Sequence, residues 1–436
     1  MKLAPYPEYK ESGMPWLGKM PAHWEAIKTK YVFRERVQKG YPKESLLAAT
    51  QTKGVVPKSI YENRTVEAQK DLHLLKLVET GDFVISLRSF QGGIEYAYYR
   101  GIISPAYTVI VPNKRILPAY FRHLGKSKKF ISLLQTCVTG IREGQNINYA
   151  ILRKTPIPVP TEEEQTQIAR FLDWKTAQIN KFIRNKRRLI ELLKEQKQNV
   201  INQAVTRGLD PKVKFKPSGV EWIGDIPEHW EVRRLKFLAR IRNGQDYKEV
   251  EAESGYPVMG SGGQFAYSSA FMYEGESVLF GRKGTIDKPL YINGRFWTVD
   301  TMFYTEVSKL VSAKFLYFSA LSFPFDYYST KTALPSMTQQ DLGNHPVALP
   351  PRDEQELIIQ YIEEESQLID QTISRAQREI ELMREYRTRL ISDVVTGQVD
   401  VRNVKCEGGS LNEDEFEDIE EVEEEIELPE GGEDDE

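Results

Sequence analysis

The sequence is poor in the residues from which covalent bridges, metal sites and many catalytic sites are built. Its 436 residues include two cysteines, Cys137 and Cys406, which lie far apart, so a disulfide framework is not expected. None of the five histidines clusters with cysteines or acids at metal-ligand spacing. His23 and His229 occupy equivalent places in two repeated segments, which indicates packing and loop anchoring rather than catalysis. We therefore expect no metal site, no catalytic residue, and a reducing, cytoplasmic location.

Motifs for nucleotide chemistry are also missing. Gly281-Arg-Lys-Gly284-Thr285 has glycines and a lysine, but not at the spacing of a phosphate-binding loop. Glu195-Gln-Lys197 has the E-x-K form of a nuclease site without a preceding Pro-Asp. Neither a G-x-G-x-x-G after a strand nor an N-P-P-Y-type motif of amino methylation occurs. These absences argue against an autonomous methyltransferase, nuclease or ATPase.

Long apolar runs are absent as well. No run approaches the length that crosses a bilayer, and no signal-peptide pattern opens the chain, so we expect no contact with a membrane. A hydrophobic content of 40% with 11% aromatic residues fits a folded protein. At this length the chain can form two or three domains, each with its own core.

The net charge of −4 hides an uneven distribution. Residues 407–436 contain 17 acidic residues and no basic one, whereas the remainder contains 59 basic and 46 acidic residues. The remainder is therefore basic, which favours a polyanionic partner. We predict that the acidic tail is disordered. It either keeps the protein in solution or competes with the polyanion for the basic surface.

The most informative pattern that is present is an internal duplication. Residues 9–33 return as 215–239 with ten identities and no gap, and residues 156–211 align without gaps to 346–401. The two offsets are 206 and 190, so the segments between the repeated blocks differ in length by 16 residues. A repeated frame around unlike inserts suits a molecule that reads two different half-sites with one geometry. It also predicts pseudo-twofold symmetry and an asymmetric target.

The second repeated block predicts two long helices. Thr161 and Glu164 have capping-box spacing, and Asp353 could cap the second copy. Apolar positions then step by threes and fours over about 40 residues without glycine or proline, as in coiled coils. The two helices could pair with each other in antiparallel fashion or form a homodimer, and the duplication favours the first. Polar residues interrupt both seams, at Lys175, Lys186, Lys197, Glu365 and Arg387.

The inserts, roughly residues 34–155 and 240–345, indicate mixed α/β (α+β) structure. Short apolar runs predict strands at 82–87, 107–111, 277–280 and 296–299. Helices are predicted at 118–134 and 313–321. The short runs and frequent glycines favour small, irregular sheets over a doubly wound sheet.

Two polar loops in each insert could contact nucleic acid. One follows a Gly-acid-apolar strand and places arginine beside glycines, and the other precedes the proline-rich entry to the long helix. Arginine recognises guanine, and glutamine or asparagine recognises adenine, in the major groove. Polar loops are often only surface turns, and this alternative stays open for each residue. The predicted DNA-binding residues are Arg88, Ser89, Gln91, Arg142, Gln145 and Asn146 in the first insert, and Arg282, Lys283, Thr285, Lys331, Ser336 and Thr338 in the second.

These features together resemble one family over about residues 9–400. The motif Trp16-x-Gly18-x-x-Pro21-x-His23-Trp24 is repeated as Trp222-x-Gly224-x-x-Pro227-x-His229-Trp230. With the strand-Arg-Gly stretches, the Pro-Ser336-Met-Thr338 loop and two P-x-x-x-P-x-x-x-E-Q helix entries, it resembles the specificity (S) subunit of a type I restriction–modification system. The first insert departs from the family's L-P-S-x-T pattern, since it has Gly144-Gln145-Asn146-Ile147-Asn148.

The resemblance implies two target recognition domains that each read half of a bipartite sequence in double-stranded DNA. The long antiparallel helices would space these domains and dock methylation (M) subunits, commonly two. The M subunits would bring S-adenosylmethionine and methylate adenine at N6, and restriction (R) subunits would bring ATP- and Mg-dependent translocation and cleavage. This chain itself would bind no cofactor and catalyse neither reaction.

The expected division of the chain follows from the repeats. It comprises a first recognition domain (1–155), a central helix (156–210), a second recognition domain (211–345), a C-terminal helix (346–402) and the acidic tail (403–436). Two alternatives remain open at this point. One is a coiled-coil scaffold without a DNA role, and the other is the recognition part of a single-chain restriction–methylation enzyme.

Overall fold

The computed structural model describes residues 3–60, 71–139, 146–328 and 335–406. The chain divides into two compact units. The first unit comprises Met1–Arg187 and Arg378–Glu436, and the second comprises Arg188–Gln377. Each of two long helices contributes one part to each unit. None of the helices within the described ranges is long and apolar enough to cross a membrane.

The first unit is built from short strands and short helices, followed by the first long helix. Its strands are β1 (Tyr9–Glu11), β2 (Lys19–Pro21), β3 (Glu25–Lys28), β4 (Phe33–Arg36), β5 (Leu47–Thr50), β6 (Gly54–Pro57), β7 (Lys76–Val78), β8 (Phe83–Ile85), β9 (Glu95–Tyr96), β10 (Gly101–Ile103), β11 (Thr108–Pro112), β12 (Val138–Thr139), β13 (Asn146–Ile147) and β14 (Pro156–Val159). Its helices are α1 (Ser89–Gly92), α2 (Pro118–Gly125), α3 (Lys128–Thr136), α4 (Tyr149–Leu152) and the first part, up to Arg187, of the long helix α5 (Glu162–Arg207).

A four-stranded antiparallel sheet, in the order β4-β11-β8-β9, forms the centre of the first unit. Its aromatic side chains meet helix α2 in the core, where the ring centroid of Phe121 lies 4.6 Å from that of Phe33 and 4.8 Å from that of Phe83. The single helix predicted at 118–134 is two helices, which is a correction. Ser127 interrupts it because its hydroxyl accepts a hydrogen bond from the Phe130 amide at 3.3 Å and caps α3.

The second unit has fewer and longer strands, followed by the second long helix. Its strands are β15 (Phe215–Pro217), β16 (Asp225–Pro227), β17 (Glu231–Arg234), β18 (Ala239–Asn243), β19 (Glu251–Ala252), β20 (Tyr256–Gly260), β21 (Gly263–Ser268), β22 (Tyr273–Gly281), β23 (Leu290–Thr298), β24 (Met302–Val307) and β25 (Pro346–Leu349). Its helices are α6 (Leu235–Leu238), α7 (Ala313–Ala320), α8 (Phe325–Tyr328), α9 (Gln339–Asn344) and the first part, up to Gln377, of the long helix α10 (Arg352–Val395).

The main sheet of the second unit is larger than the sequence predicted. Seven strands follow the order β18-β24-β22-β23-β20-β21-β19, and all neighbours are antiparallel except β20 and β23. The expectation of small sheets is therefore wrong here, although the sheet is not doubly wound. Strands β22 and β23 have nine residues each and extend beyond the runs predicted at 277–280 and 296–299. Those runs were too short because residues 274–276 and 293–295, which pair with each other, are charged, polar or glycine and give no apolar signal. The strands predicted in the first insert are present as β8 and β11.

The repeated segments form the same structure in both units. The hairpin β1-β2 corresponds to β15-β16, and the antiparallel pair β3-β14 corresponds to β17-β25. The register repeats as well, since Glu25 pairs with Val159 and Glu231 pairs with Leu349 at the ends of these pairs. The duplication in sequence is thus a duplication of the frame that surrounds each insert.

The long helices α5 and α10 pack against each other in antiparallel fashion within each unit, as predicted. In the first unit, Arg387 donates to Asn180 at 2.8 Å, and Lys186 lies 2.6 Å from Glu379. In the second unit, Lys197 lies 2.7 Å from Asp370. Of the polar residues that interrupt the apolar seams, Lys186, Lys197 and Arg387 are therefore paired across the two helices, whereas Lys175 donates to Gln178 on its own helix at 3.2 Å.

The starts of the long helices differ in their caps. The Glu164 amide donates to the Thr161 hydroxyl at 3.3 Å, which confirms the predicted cap of α5. The predicted cap of α10 is wrong, because Asp353 lies inside the first turn. The helix begins at Arg352, and the carbonyl of Pro351 accepts the amides of Glu354 and Gln355 at 3.1 and 3.0 Å. Proline at this place has no side-chain acceptor, so its backbone begins the helix instead.

Candidate nucleic-acid interface

The two repeated histidines anchor each frame to the long helix that follows it. The imidazole Nε2 of His23 lies 2.8 Å from a carboxylate oxygen of Glu164, and that of His229 lies 2.8 Å from Glu354. Each pair joins the Trp-Gly-Pro-His-Trp segment to the first turn of a helix more than 120 residues later. The predicted anchoring role of the histidines is confirmed.

The glutamine that follows each of these glutamates holds a loop of the insert in place. This loop leads into α2 in the first unit and into α7 in the second. Gln165 donates to the carbonyls of Arg115 and Pro160 at 2.9 and 3.0 Å and accepts the Leu117 amide at 2.7 Å. Gln355 makes the same three contacts in the second unit, with Leu310, Pro350 and Ser312. Both glutamines are buried. The repeated E-Q dipeptide therefore binds the frame with one residue and the insert with the other.

The repeated tryptophans are buried where the other long helix ends. Trp24 and Trp230 are fully buried. Gly397, just beyond α10, has φ +73° and lies so close to Pro21 that a side chain would collide with it. Gly208, just beyond α5, has φ +72°, and a β-carbon added at this position would lie only 3.2 Å from the ring of Trp230. Each frame is thus closed by the start of one long helix and the end of the other.

The frames are not identical in their polar contacts. In the first unit, Tyr6 donates to Glu164 at 2.5 Å, and burial, followed by this hydrogen bond, raises the pKa of the Tyr6 hydroxyl well above its usual value. In the second unit, the indole of Trp230 donates to Glu354 at 3.0 Å instead. There, His345 stacks on Trp222 with ring centroids 5.9 Å apart, and burial lowers the pKa of His345 to about 4.

On these frames, the first candidate loop of the first unit presents Arg88 and Gln91 to solvent. Both residues are exposed, at the start and within the short helix α1. Ser89 is buried, and its hydroxyl accepts the Ser86 amide at 2.9 Å, so this side chain shapes the loop instead of facing solvent. Gly93 has φ +89° and lies directly against the backbone of Gly125, which leaves no space for a side chain.

The second candidate loop of the first unit lies beside the first. Helix α1 contacts β13, and the side chain of Asn146 at the start of β13 is exposed. The predicted residues Arg142 and Gln145 lie outside the described residues. Asn148 is used locally, because its side chain accepts the Ala150 amide at 2.9 Å and caps α4.

In the second unit the two candidate loops are hydrogen-bonded to each other. Lys283 and Ser336 form an antiparallel bridge. The Gly284 amide donates to the Pro335 carbonyl and the Met337 amide donates to the Arg282 carbonyl, each at 3.0 Å. Residues about 53 positions apart in sequence therefore form one continuous surface. The predicted residue Lys331 lies outside the described residues.

The side chains of this joined surface have different roles. Arg282 and Lys283 are exposed, and the guanidinium of Arg282 reaches the Asp300 carbonyl at 3.4 Å. Thr285 and Ser336 are half-buried. Thr338 is exposed but caps α9, since its hydroxyl accepts the Asp341 amide at 3.1 Å and donates to the Asp341 carboxylate at 2.6 Å. Sequence reasoning alone did not separate this structural threonine from a contact residue.

Two lysines beside the first loop were missed by the sequence reasoning. Lys128 is exposed and Lys129 is half-buried in the first turn of α3, which packs against α1. The signal available in the sequence was the Lys-Lys pair that follows the cap Ser127. The first unit therefore brings cations from two separate segments to one loop.

The candidate loops of both units present cationic and hydrogen-bonding side chains to solvent. Exposed guanidinium, ammonium and amide groups lie on loops that the frame holds in place, where they can contact phosphates or base edges. Among the residues that the structure describes, no three or more His, Cys, Asp or Glu side chains come together as they would to hold a metal ion.

Comparison with known proteins agrees with this architecture. The family model described as type I restriction modification DNA specificity domain matches residues 21–195 and 227–382. The type I restriction enzyme MjaVIII specificity subunit of Methanocaldococcus jannaschii is 25% identical over 360 residues, covering 75% of this chain and 81% of that protein. The type I restriction enzyme EcoKI specificity subunit of Escherichia coli K12 is 29% identical over 157 residues, covering 35% of this chain and 31% of that protein.

Solved structures share the fold. A chain from a study of complex assembly and conformational transition of the type I R-M system superposes with a TM-score of 0.68 at 15% identity, covering 86% of this chain and 98% of that chain. The HsdS subunit of Thermoanaerobacter tengcongensis superposes with a TM-score of 0.53 at 17% identity, covering 87% of this chain and 98% of that chain. With two matched domains, a repeated frame and two long helices, this chain belongs to the family of type I restriction–modification DNA specificity subunits.

Proposed function

We propose that this chain reads a bipartite, asymmetric sequence in double-stranded DNA, one half with each recognition domain. One observation carries the proposal: the same frame, built twice, brings two polar loops together in each unit. In the first unit α1 lies beside Asn146, and in the second unit Lys283 pairs with Ser336. The loops differ in sequence while their supports agree, as expected when one geometry reads two different half-sites.

Within each domain, the exposed arginine is the strongest candidate for base recognition. Guanidinium groups bind guanine through two parallel hydrogen bonds, and the glycines beside Arg88 and Arg282 allow the backbone to come close to a groove. Gln91 and Asn146 are suited to adenine by the same geometric argument. Lys128 and Lys283 are suited to phosphates, which position the protein without reading sequence.

The long helices support a second part of the proposal, the docking of M subunits. Helix α10 carries exposed apolar side chains that lie away from its buried seam: Leu357, Tyr361 and Leu368 in the second unit, and Leu382 and Tyr386 in the first. Apolar side chains at heptad-like spacing favour packing against further helices. One such surface in each unit suits two M subunits.

The partner subunits would supply the chemistry. S-adenosylmethionine would bind to the M subunits, and ATP and Mg to the R subunits, while this chain sets the sequence and the spacing in a cytoplasmic complex. Its own residues position DNA and partners and catalyse no step. The scaffold alternative predicts no sequence-selective methylation and no steep loss of DNA affinity with salt, whereas phosphate contacts require that loss.

The test is to express the chain with its M subunit and to sequence the methylome, then to replace Arg88 or Arg282 with alanine. Each substitution should cost about 1–3 kcal/mol on one half-site and leave discrimination at the other half-site unchanged. Each variant thus serves as the control for the other. A uniform loss on all DNA sequences would assign the arginine to phosphate, and methylation without any bipartite motif would contradict the proposal.

A further inference from the structure

The positive charge of the chain is concentrated in one recognition domain. Residues 1–155 contain 25 lysines and arginines against 12 acidic residues, whereas residues 211–345 contain 16 against 15. The net charges of the two segments that contain the long helices nearly cancel each other. Residues 156–210 contain 10 basic and 7 acidic residues, and residues 346–406 contain 8 basic and 12 acidic residues. A polyanion is therefore attracted far more strongly to the first recognition domain than to the second.

The chain contains a polyanion of its own. Residues 407–436 carry 17 acidic side chains among 30 residues and no basic one. Their charge of −17 exceeds the excess of 13 positive charges in residues 1–155. The negative charge of this segment is therefore large enough to neutralise the whole excess of positive charge in that domain.

The acidic segment begins in the unit that carries this positive charge. Gln167 of α5 donates to the carbonyls of Val401 and Val404 at 2.9 and 2.7 Å, and Cys406 packs against the core of the first unit. A chain of 30 residues reaches at most about 100 Å, whereas a domain of about 150 residues has a radius of gyration near 15 Å. Every point on the surface of the first recognition domain is within that limit.

The candidate acceptor is the surface around the first loop. Arg36 is paired with Asp82 at 2.7 Å, and Arg100 is paired with Glu79 at 2.7 Å. By contrast, across residues 3–60, 71–139, 146–328 and 335–406, no carboxylate forms an ion pair with Arg88 or Lys128. These are the exposed cations on and beside the loop that is proposed to read DNA.

We propose that residues 407–436 occupy the DNA-reading surface of the first recognition domain, around Arg88 and Lys128, and compete there with DNA. The inference rests on the proposed function of this surface. The tail then selects for the correct sequence. DNA of random sequence binds through phosphate contacts alone, so the tail excludes it from the surface. Cognate DNA makes additional base contacts and therefore displaces the tail. Tethering raises the effective concentration of the tail to about the millimolar range, so weak individual contacts suffice.

The experiment compares three proteins: the full chain, a full chain in which every Glu and Asp of 407–436 is replaced by Gln or Asn, and a chain that ends at Cys406. Affinity for a random-sequence duplex is measured at several salt concentrations. At about 50 mM salt we expect both altered proteins to bind about tenfold more tightly than the full chain, with the difference falling to about twofold at 300 mM as screening increases. Affinity for cognate DNA should rise less.

Two results would overturn the inference. One is equal affinity of all three proteins for random DNA at low salt, which would leave the tail a solubilising role. The other is tighter binding after truncation but not after neutralisation, because an effect of bulk does not need charge. Failure of all three proteins to bind any DNA would instead contradict the proposed function.

A second measurement does not depend on DNA. A labelled peptide of residues 407–436 is titrated onto the chain that ends at Cys406 and followed by fluorescence anisotropy. We expect the peptide to bind, and its affinity to fall as the salt concentration rises. Combining Arg88→Ala and Lys128→Ala should lower this affinity at least threefold, because two of the charges that attract the peptide are lost. Absence of binding at low salt, or binding unaffected by the two substitutions, would overturn the inference.

Discussion

Replacing Gln165 with alanine should destabilise the first unit by about 4 kcal/mol while leaving the second unit nearly unchanged. The side chain makes three hydrogen bonds of 2.7–3.0 Å to backbone groups, two in the loop before α2, at Arg115 and Leu117, and one at Pro160 before α5. Truncation leaves two carbonyls and one amide without their partner, at a net cost of about 1 kcal/mol each. The space that the amide vacates adds about 1 kcal/mol more.

The matched substitution is Gln355→Ala, which removes the equivalent contacts to Leu310, Pro350 and Ser312 in the second unit. It should destabilise the second unit by a similar amount. Gln360→Ala serves as the control, because Gln360 is exposed on α10 and its amide contacts the Glu364 side chain alone among the described residues. Its cost should stay within about 0.5 kcal/mol.

Native-state hydrogen exchange is the suitable assay, because two units need not unfold in one transition. Exchange at the amides of Leu117 and Ser312 reports on the two loops separately. A loss of stability below about 1 kcal/mol on Gln165→Ala would refute this prediction, because even two lost hydrogen bonds should cost more. The prediction also fails if both units lose protection equally, since the glutamine contacts lie within one unit.

Three further predictions follow from the helices, from His345 and from the helix ends. Deleting residues 188–194 and 372–378 together removes one heptad, about 10.5 Å of length, from each long helix and keeps the ion pairs that flank the deleted segments. The preferred spacing between the two half-sites should therefore change by about three base pairs. Unchanged spacing in the methylome would contradict the spacer role. Burial lowers the pKa of His345 to about 4 in the folded state, so between pH 6.5 and 4 the unfolded state binds a proton at this residue that the folded state does not. The second unit is therefore most stable above pH 6.5 and loses stability as the pH falls through this range. Relative to His345→Gln, the wild-type second unit should lose about 2 kcal/mol between pH 7 and pH 5 in denaturant titrations, and equal pH dependence would refute this. Gly397→Ala should cost about 2 kcal/mol more than Gly18→Ala, since both have positive φ but the first alone meets Pro21; equal melting temperatures would refute this.

Features with a local cause were predicted well from the sequence. The 3.5-residue period of apolar positions predicted α5 and α10, and the antiparallel contacts between them confirm their pairing. The equivalence of His23 and His229 was enough to assign them to loop anchoring. Failures occurred where a single side chain decided the outcome. Ser127 divided one predicted helix, and Asp353 lay inside the turn that it was expected to cap.

The candidate site was predicted only in outline. The positions of the polar loops followed from glycine, arginine and polar residues, and contact of these residues with DNA stays a prediction. Whether a loop residue faces solvent was not predictable, since that depends on partners elsewhere in the fold. Ser89 is buried against Ser86, Thr338 is occupied by Asp341, and Lys128 was overlooked because it lies about 40 residues from Arg88.

By itself, the sequence determined the duplication, the two long helices and the place of each insert, because these depend on residue identities and on periodicity along the chain. The tertiary structure decided which segments meet. It brought Lys283 to Ser336, α1 to Asn146, and Glu164 to His23 across 141 residues. Such pairings depend on how buried groups find hydrogen-bond partners and how side chains fill a core, and no pattern of neighbouring residues specifies that outcome.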